Sequence, residues 1–223
     1  MTHSDLISLI FREEPDAITR TLAMMAFNPA IGRVLEKGSV NRFASLMIEL
    51  IPKLYGIPSR ERFEAWHKDA CIRIMDSFKT TRGERLSYGR AQKGLNVFLK
   101  VYVAWAKQPT RELANDLLPF LHVPLDSLLM KCIAREFPEE YAAKIAPIRN
   151  RRIEWNHERV NRAGGQVFSK SLIKSAMGAE FSLTAIDEET YKAWQDMLHV
   201  FWPAEPVRLD TLWAVERMQD EVV

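Results

Sequence analysis

Apolar positions recur at helical spacing along most of this chain, and one stretch, 87–107, is apolar on nearly every side. Wound at about 100° per residue, Tyr88, Ala91, Leu95, Phe98, Leu99, Tyr102, Val103 and Ala106 form one broad face. Val97, Val101, Ala104 and Trp105 cover much of the opposite side. A helix apolar on both sides belongs inside a fold. The pattern therefore predicts a central buried helix over 87–107, with Ser87 as its N-cap. Its polar positions, Gly89, Lys93, Asn96, Lys100 and Lys107, fall on a single narrow stripe.

The remaining segments are arranged around that helix. Pro15 starts a helix with Ala17, Ile18, Thr21, Leu22 and Met25 on one side; Asn28-Pro29 ends it and opens a short helix capped by Gly38. Ser39 opens another, reaching about Tyr55. After the Gly56-Ile57-Pro58 break, Ser59 opens a long amphipathic helix to about Phe78, with Phe63, Trp66, Ala70, Cys71, Ile74 and Phe78 inward. His67 shares that inner face, where a lone histidine reads as a hydrogen-bonded core residue. A shorter helix follows from Thr110 towards Leu118. Two prolines then stiffen the connection 119–126, and Asp126 stands where it would cap a helix over Ser127 to Phe137.

Beyond Pro138 the chain turns polar. A helix fits 139–146, Pro147 interrupts it, and an arginine-rich helix resumes over 149–162. Residues 163–185, broken by Gly164-Gly165 and Gly178, follow neither period and are expected to be an irregular loop or small hairpin. Asp187 caps a helix striped by Tyr191, Trp194, Leu198, Phe201 and Trp202, and a last helix starts at about Asp210. Strands never alternate with helices. The expectation is all-α: one domain over 1–223, an irregular helical bundle around the 87–107 helix.

Composition narrows the class further. A chain of 223 residues that is 47% hydrophobic has material for one sizeable core. It has no run of the roughly 18 to 20 apolar residues that a membrane span needs, and Met1 to Asp16 carries acids instead of a basic-then-apolar leader. A cytoplasmic protein without a membrane span is expected. Cys71 and Cys132 each sit among apolar neighbours on a helix, which suits buried thiols in a reducing compartment. There is no Gly-rich phosphate loop, HExxH, paired CxxC or GxSxG, so neither metal site nor cofactor is expected.

Charge is segregated along the chain. Residues 79–107 hold seven Lys/Arg against one acid, and 144–174 hold eight against two. From Glu180 onward ten acids face three bases. Either the basic segments form an electropositive surface for phosphate, or they dock against the acidic end.

Two constellations carry candidate chemistry. If the chain turns back after Thr110, His122 and Asp126 come near the stripe and, with Lys93, Asn96 and Lys100, line a mixed-charge pocket for an anion. In the alternative, Asp126 only caps its helix, His122 satisfies a loop carbonyl and the lysines reach solvent. The segments YGRAQKGLNVFLK, HVPLDSLLM and IDEETYKAWQDML resemble the shared segments of a loosely defined group of uncharacterised bacterial helical proteins. The matching residues are Tyr88, Gly89, Ala91, Gln92, Lys93, Asn96, Lys100, His122, Pro124 and Asp126; Gly94 departs from the pattern and leaves room for a close helix contact. The resemblance implies no activity, but it marks the same stripe.

The second constellation is the run Arg149 to His157. Arg152 and His157 are similar to the Arg-x4-6-His signature of helical ribonucleases of the HEPN class, a resemblance that implies phosphodiester cleavage by that pair. On a continuous helix, however, the two stand about 140° apart. Nucleic-acid binding by the basic segments, with Tyr88, Trp155 or Phe168 as stacking partners, is a third reading. The favoured expectation is a binding or interaction protein with Lys93, Asn96, Lys100, His122 and Asp126 as an anion site. Its candidate partners are nucleic acid, a small anion or another protein. The HEPN-like ribonuclease is the alternative.

Overall fold

The computed structural model describes residues 15–57, 59–148, 150 and 181–212. Among them every regular element is helical, and the β component is two isolated bridges, Leu35 with Thr80 and Lys79 with Arg85. The fold is an all-α, irregular multi-helix bundle. Contacts gather into two compact units, the residues up to Leu86 with Gly94–Leu121, and Ser87–Lys93 with the residues from His122 onward. The stretch that the sequence marked as central thus gives its first turns to one unit and the rest to the other.

In the first unit, α1 spans Pro15–Ala30, α2 Ser39–Leu50 and α3 Arg60–Ser77. Helix α4 begins at Tyr88 and runs to Leu99, and α5 covers Arg111–Leu117. The core is aromatic: Phe27 stacks on Phe43 at 3.8 Å between centroids, and Phe43 meets Phe98 edge-on at 6.0 Å. The edge-on pair suits the ring quadrupoles. A Cβ on Gly94 would lie 2.9 Å from Ile31 and 3.0 Å from Phe27, so the glycine allows α4 the close approach to the α1 end that the sequence suggested. Ser59 caps α3 by accepting from the Arg62 amide, and Thr110 caps α5 through the Leu113 amide.

Several expectations are corrected here. Helix α1 continues through Asn28-Pro29 to Ala30 and is followed by a 3-10 turn at Gly32–Val34, not by a second helix. Proline in a final turn forfeits one hydrogen bond without kinking anything beyond it. Helix α2 stops at Leu50, and a 3-10 turn, Ile51–Leu54, completes the run towards Tyr55.

The 87–107 helix is α-helical only to Leu99. Lys100–Trp105 forms a π turn, in which the Ala106 amide donates to Val101 O at 2.9 Å. Nor is it buried all round: Val97, Val101 and Ala104 are half-buried and Trp105 is 64% exposed, while Gln92 and Asn96 are fully enclosed.

In the second unit, α6 spans Ser127–Glu136 and α7 Pro138–Glu140, which runs on as a π turn, Tyr141–Ile145. Helix α8 spans Glu188–Phe201, capped by Asp187 through the Thr190 amide. Phe137 stacks on Phe201 at 4.3 Å and Tyr141 lies 5.7 Å from Trp194. Trp202, expected in the α8 stripe, is 50% exposed, because the helix ends one residue before it. A 3-10 turn, Pro206–Thr211, stands where a last helix was expected from Asp210. Of the expected loop 163–185, the described part holds a 3-10 turn, Leu183–Ala185. The remainder of that loop, Trp213, and the arginine-rich helix with Arg152, Trp155 and His157 lie outside the described residues, apart from Asn150.

Candidate functional site

The segment Leu121 to Asp126 has no regular structure, yet Leu121 to Leu125 are buried. Buried backbone that belongs to no helix must find other hydrogen-bond partners, and side chains supply them. Gln195, on the inner face of α8, accepts from the Val123 amide and donates to the Val123 carbonyl, both at 2.9 Å. Gln92 Nε2 donates to Leu125 O at 3.2 Å and to Gly89 O at 2.8 Å. The loop is held in two places by primary amides, each able to donate and accept at once.

Asp126 closes the segment and has two tasks. One oxygen, Oδ1, accepts from the amides of Leu128 and Leu129 at 3.0 and 2.9 Å and caps α6. The other, Oδ2, accepts from Lys93 Nζ at 3.1 Å, with both side chains about four-fifths buried, at 19% and 22% exposure. Both oxygens are engaged, and the Lys93 ammonium has its counter-charge.

His122 is 4% exposed. Its Nδ1 shares a 2.7 Å hydrogen bond with the Tyr191 hydroxyl, and the two rings are 5.5 Å apart, with Tyr88 a further 5.4 Å from Tyr191. Gly89 lies beside this cluster: its amide donates to Ile186 O, and a Cβ there would fall 2.1 Å from Leu183 O. Only glycine permits that approach of backbone to backbone.

The other polar residues of the stripe belong to the first unit. Asn96 is wholly buried and its Oδ1 accepts from His67 Nε2 at 2.7 Å, which puts the imidazole proton on Nε2. The Cys71 thiol lies 3.8 Å from Nδ1 of the same ring. His67 is therefore a hydrogen-bonded core histidine. Lys100 stands one π turn before Trp105 and holds its Nζ 4.9 Å from the indole centroid. The i, i+5 spacing of a π turn stacks these two positions, which a regular α-helix would set apart. Inside the same turn, the Tyr102 hydroxyl is 3.1 Å from that of Tyr55. Burial, and then this contact, push the Tyr55 phenol above its ordinary range.

Of the residues proposed as one site, the structure brings together Lys93 and Asp126. His122 pairs with Tyr191, Asn96 with His67, and Lys100 with Trp105. The amide clasps of Gln92 and Gln195 were not foreseen, although Gln195 stands four residues after Tyr191 on the apolar stripe of α8, the sort of inward polar position that needs a buried partner. Arg152 and His157 lie outside the described residues. Among the described residues no group of three or more His, Cys, Asp and Glu could hold a metal ion, and no helix is long and apolar enough to cross a membrane. The chain matches no protein-family model, no curated protein and no solved structure.

Proposed function

We propose that the protein is a binding protein for an anionic ligand, and that the ligand meets Lys100 and Trp105 at the π turn. The observation that carries this reading is a cation over a ring that is itself 64% exposed. A cation–π contact holds an ammonium against the face of an aromatic ring. A large exposed indole is costly to leave in water and is a frequent anchor of binding surfaces. A π turn inside a helix is also a frequent mark of a functional position. A nucleotide suits both groups, with its phosphate for the ammonium and its base for the indole.

Calorimetric titration with adenosine diphosphate tests the reading. Trp105→Ala should abolish saturable binding by removing the anchor and the support of Lys100, with the melting temperature within a few degrees of the parent. Equal affinity in parent and variant, or no binding by the parent, would overturn it.

A further inference from the structure

A second electropositive surface arises in the first unit from two turns far apart in sequence, and it goes beyond the reading above. The 3-10 turn Gly32–Val34 and the segment that follows it lie against the turn after α3 through two backbone hydrogen bonds that make one antiparallel bridge. The Glu36 amide donates to Lys79 O at 3.2 Å and the Thr81 amide to Val34 O at 3.0 Å, which pairs Leu35 with Thr80 antiparallel. Thr80 fixes its own turn: its amide donates to Glu84 O at 2.8 Å, and its hydroxyl oxygen accepts from the amides of Arg82 and Glu84. The framework is short but closed on itself.

Leu35 and Thr80 are buried at the junction, at 5% and 6% exposure. Four cations on the two joined segments, Arg33, Lys37, Lys79 and Arg82, are all exposed. None has an ion-pair partner among the described residues. Two nearby acids are already engaged, Glu36 by Arg42 at 2.5 Å and Asp76 by Arg85 at 2.5 Å. Glu84, exposed on the same turn, subtracts one charge. Three positive charges remain in excess on a patch two turns wide.

We infer that this paired turn is a docking surface for the phosphodiester backbone of a nucleic acid. Exposed cations gathered on two joined turns suit a partner of dense, regular negative charge, and duplex DNA carries one charge per about 1.7 Å of axis. Two of the four cations are arginines, whose planar forks grip phosphate oxygens bidentately. Contacts of this kind neutralise backbone charge without reading base edges, so affinity depends steeply on salt and little on sequence.

The test is a salt titration of binding to a short random-sequence DNA duplex, with polyglutamate as a second arm. The full chain is compared with the quadruple variant Arg33→Gln, Lys37→Gln, Lys79→Gln, Arg82→Gln. A control variant, Arg62→Gln with Lys131→Gln, removes exposed charge elsewhere. All six positions are exposed, and circular dichroism melts establish that each variant folds. In the parent, log K should fall linearly with log salt. The slope should shrink by about 0.9 for each phosphate no longer neutralised, about 3 to 4 in the quadruple variant. The control should keep the parent slope. A second duplex sequence should bind within a fewfold of the first. The inference is overturned if the quadruple variant keeps the parent's slope, if the control loses as much, if the parent does not bind the duplex, or if polyglutamate binds as tightly.

Discussion

Lys93 and Lys100 lie on the same stripe of the same continuous helical stretch, seven residues apart, and have different surroundings. Lys93 sits at 19% exposure, with its ammonium on a carboxylate whose other oxygen caps a helix. Lys100 lies over an exposed indole in a π turn. The first half of the stripe, Gly89, Lys93 and Asn96, holds backbone and neighbouring helices in place. The later stripe residues, Lys100 and Lys107, are half-buried, beside the exposed Trp105. The residue type is the same for both lysines, but Lys93 meets a carboxylate from a distant segment and Lys100 a ring of its own turn.

The largest expected effect concerns neither lysine but the core beneath the outer one. Phe98 is fully buried and touches Phe43 and Tyr102. Removing such a ring costs about 3–5 kcal/mol before any charge is added, and typical stabilities are about 5–15 kcal/mol. Phe98→Asp should leave no cooperative melt in a thermal scan. A variant that melts normally would remove the first-unit core as the support of the Lys100 turn.

Next comes Gly89→Val, which drives a side chain into the Leu183 carbonyl. Backbone on both sides cannot yield as a side chain end does, so the loss should reach or exceed the roughly 1–3 kcal/mol usual for overpacking. Urea denaturation measures it, and a variant as stable as the parent would mean that the first half of the stripe is not packed as described.

Asp126→Ala should cost about 2 kcal/mol. About 1 comes from the lost cap and up to about 1 from the ion pair. Lys93→Met removes only the pair, so it should cost less, and the double variant should cost less than the two single changes added. Strict additivity would show that the ion pair contributes nothing.

The smallest effect is alkaline. The Tyr55 phenol is held above its ordinary value by burial and then by Tyr102. In the unfolded chain it ionises near pH 10, while the folded form keeps its proton. Stability from this group is therefore full below about pH 10 and falls as pH rises beyond it. Tyr55→Phe should flatten that alkaline loss in melting temperature; an unchanged profile would detach Tyr55 from the π turn.

Legibility followed the range of the interaction. The caps at Ser59, Asp126 and Asp187 satisfy amides two or three residues away, so the sequence alone exposes them. The inner face of α3 follows from period, and His67 fell on it. The π turn has no local signature. By adding a residue to the turn it shifts the phase of every later position, which is why Trp105, placed on a covered side by the 3.6 period, emerges in solvent. The amide clasps at Val123 and Leu125 were illegible for another reason: a glutamine 72 or 33 residues away leaves no trace in spacing. In the resemblance, Asn96 and His122 looked like members of one site because their partners, His67 and Tyr191, lie in other segments.

The division of the stripe between Lys93 and Lys100 is tested most directly by calorimetric titration of adenosine diphosphate into Lys93→Met and Lys100→Met side by side. The division predicts parent-like affinity in Lys93→Met and loss of binding in Lys100→Met. The reverse, with binding lost at Lys93 and kept at Lys100, would contradict it and return the ligand to the ion-paired end of the helix.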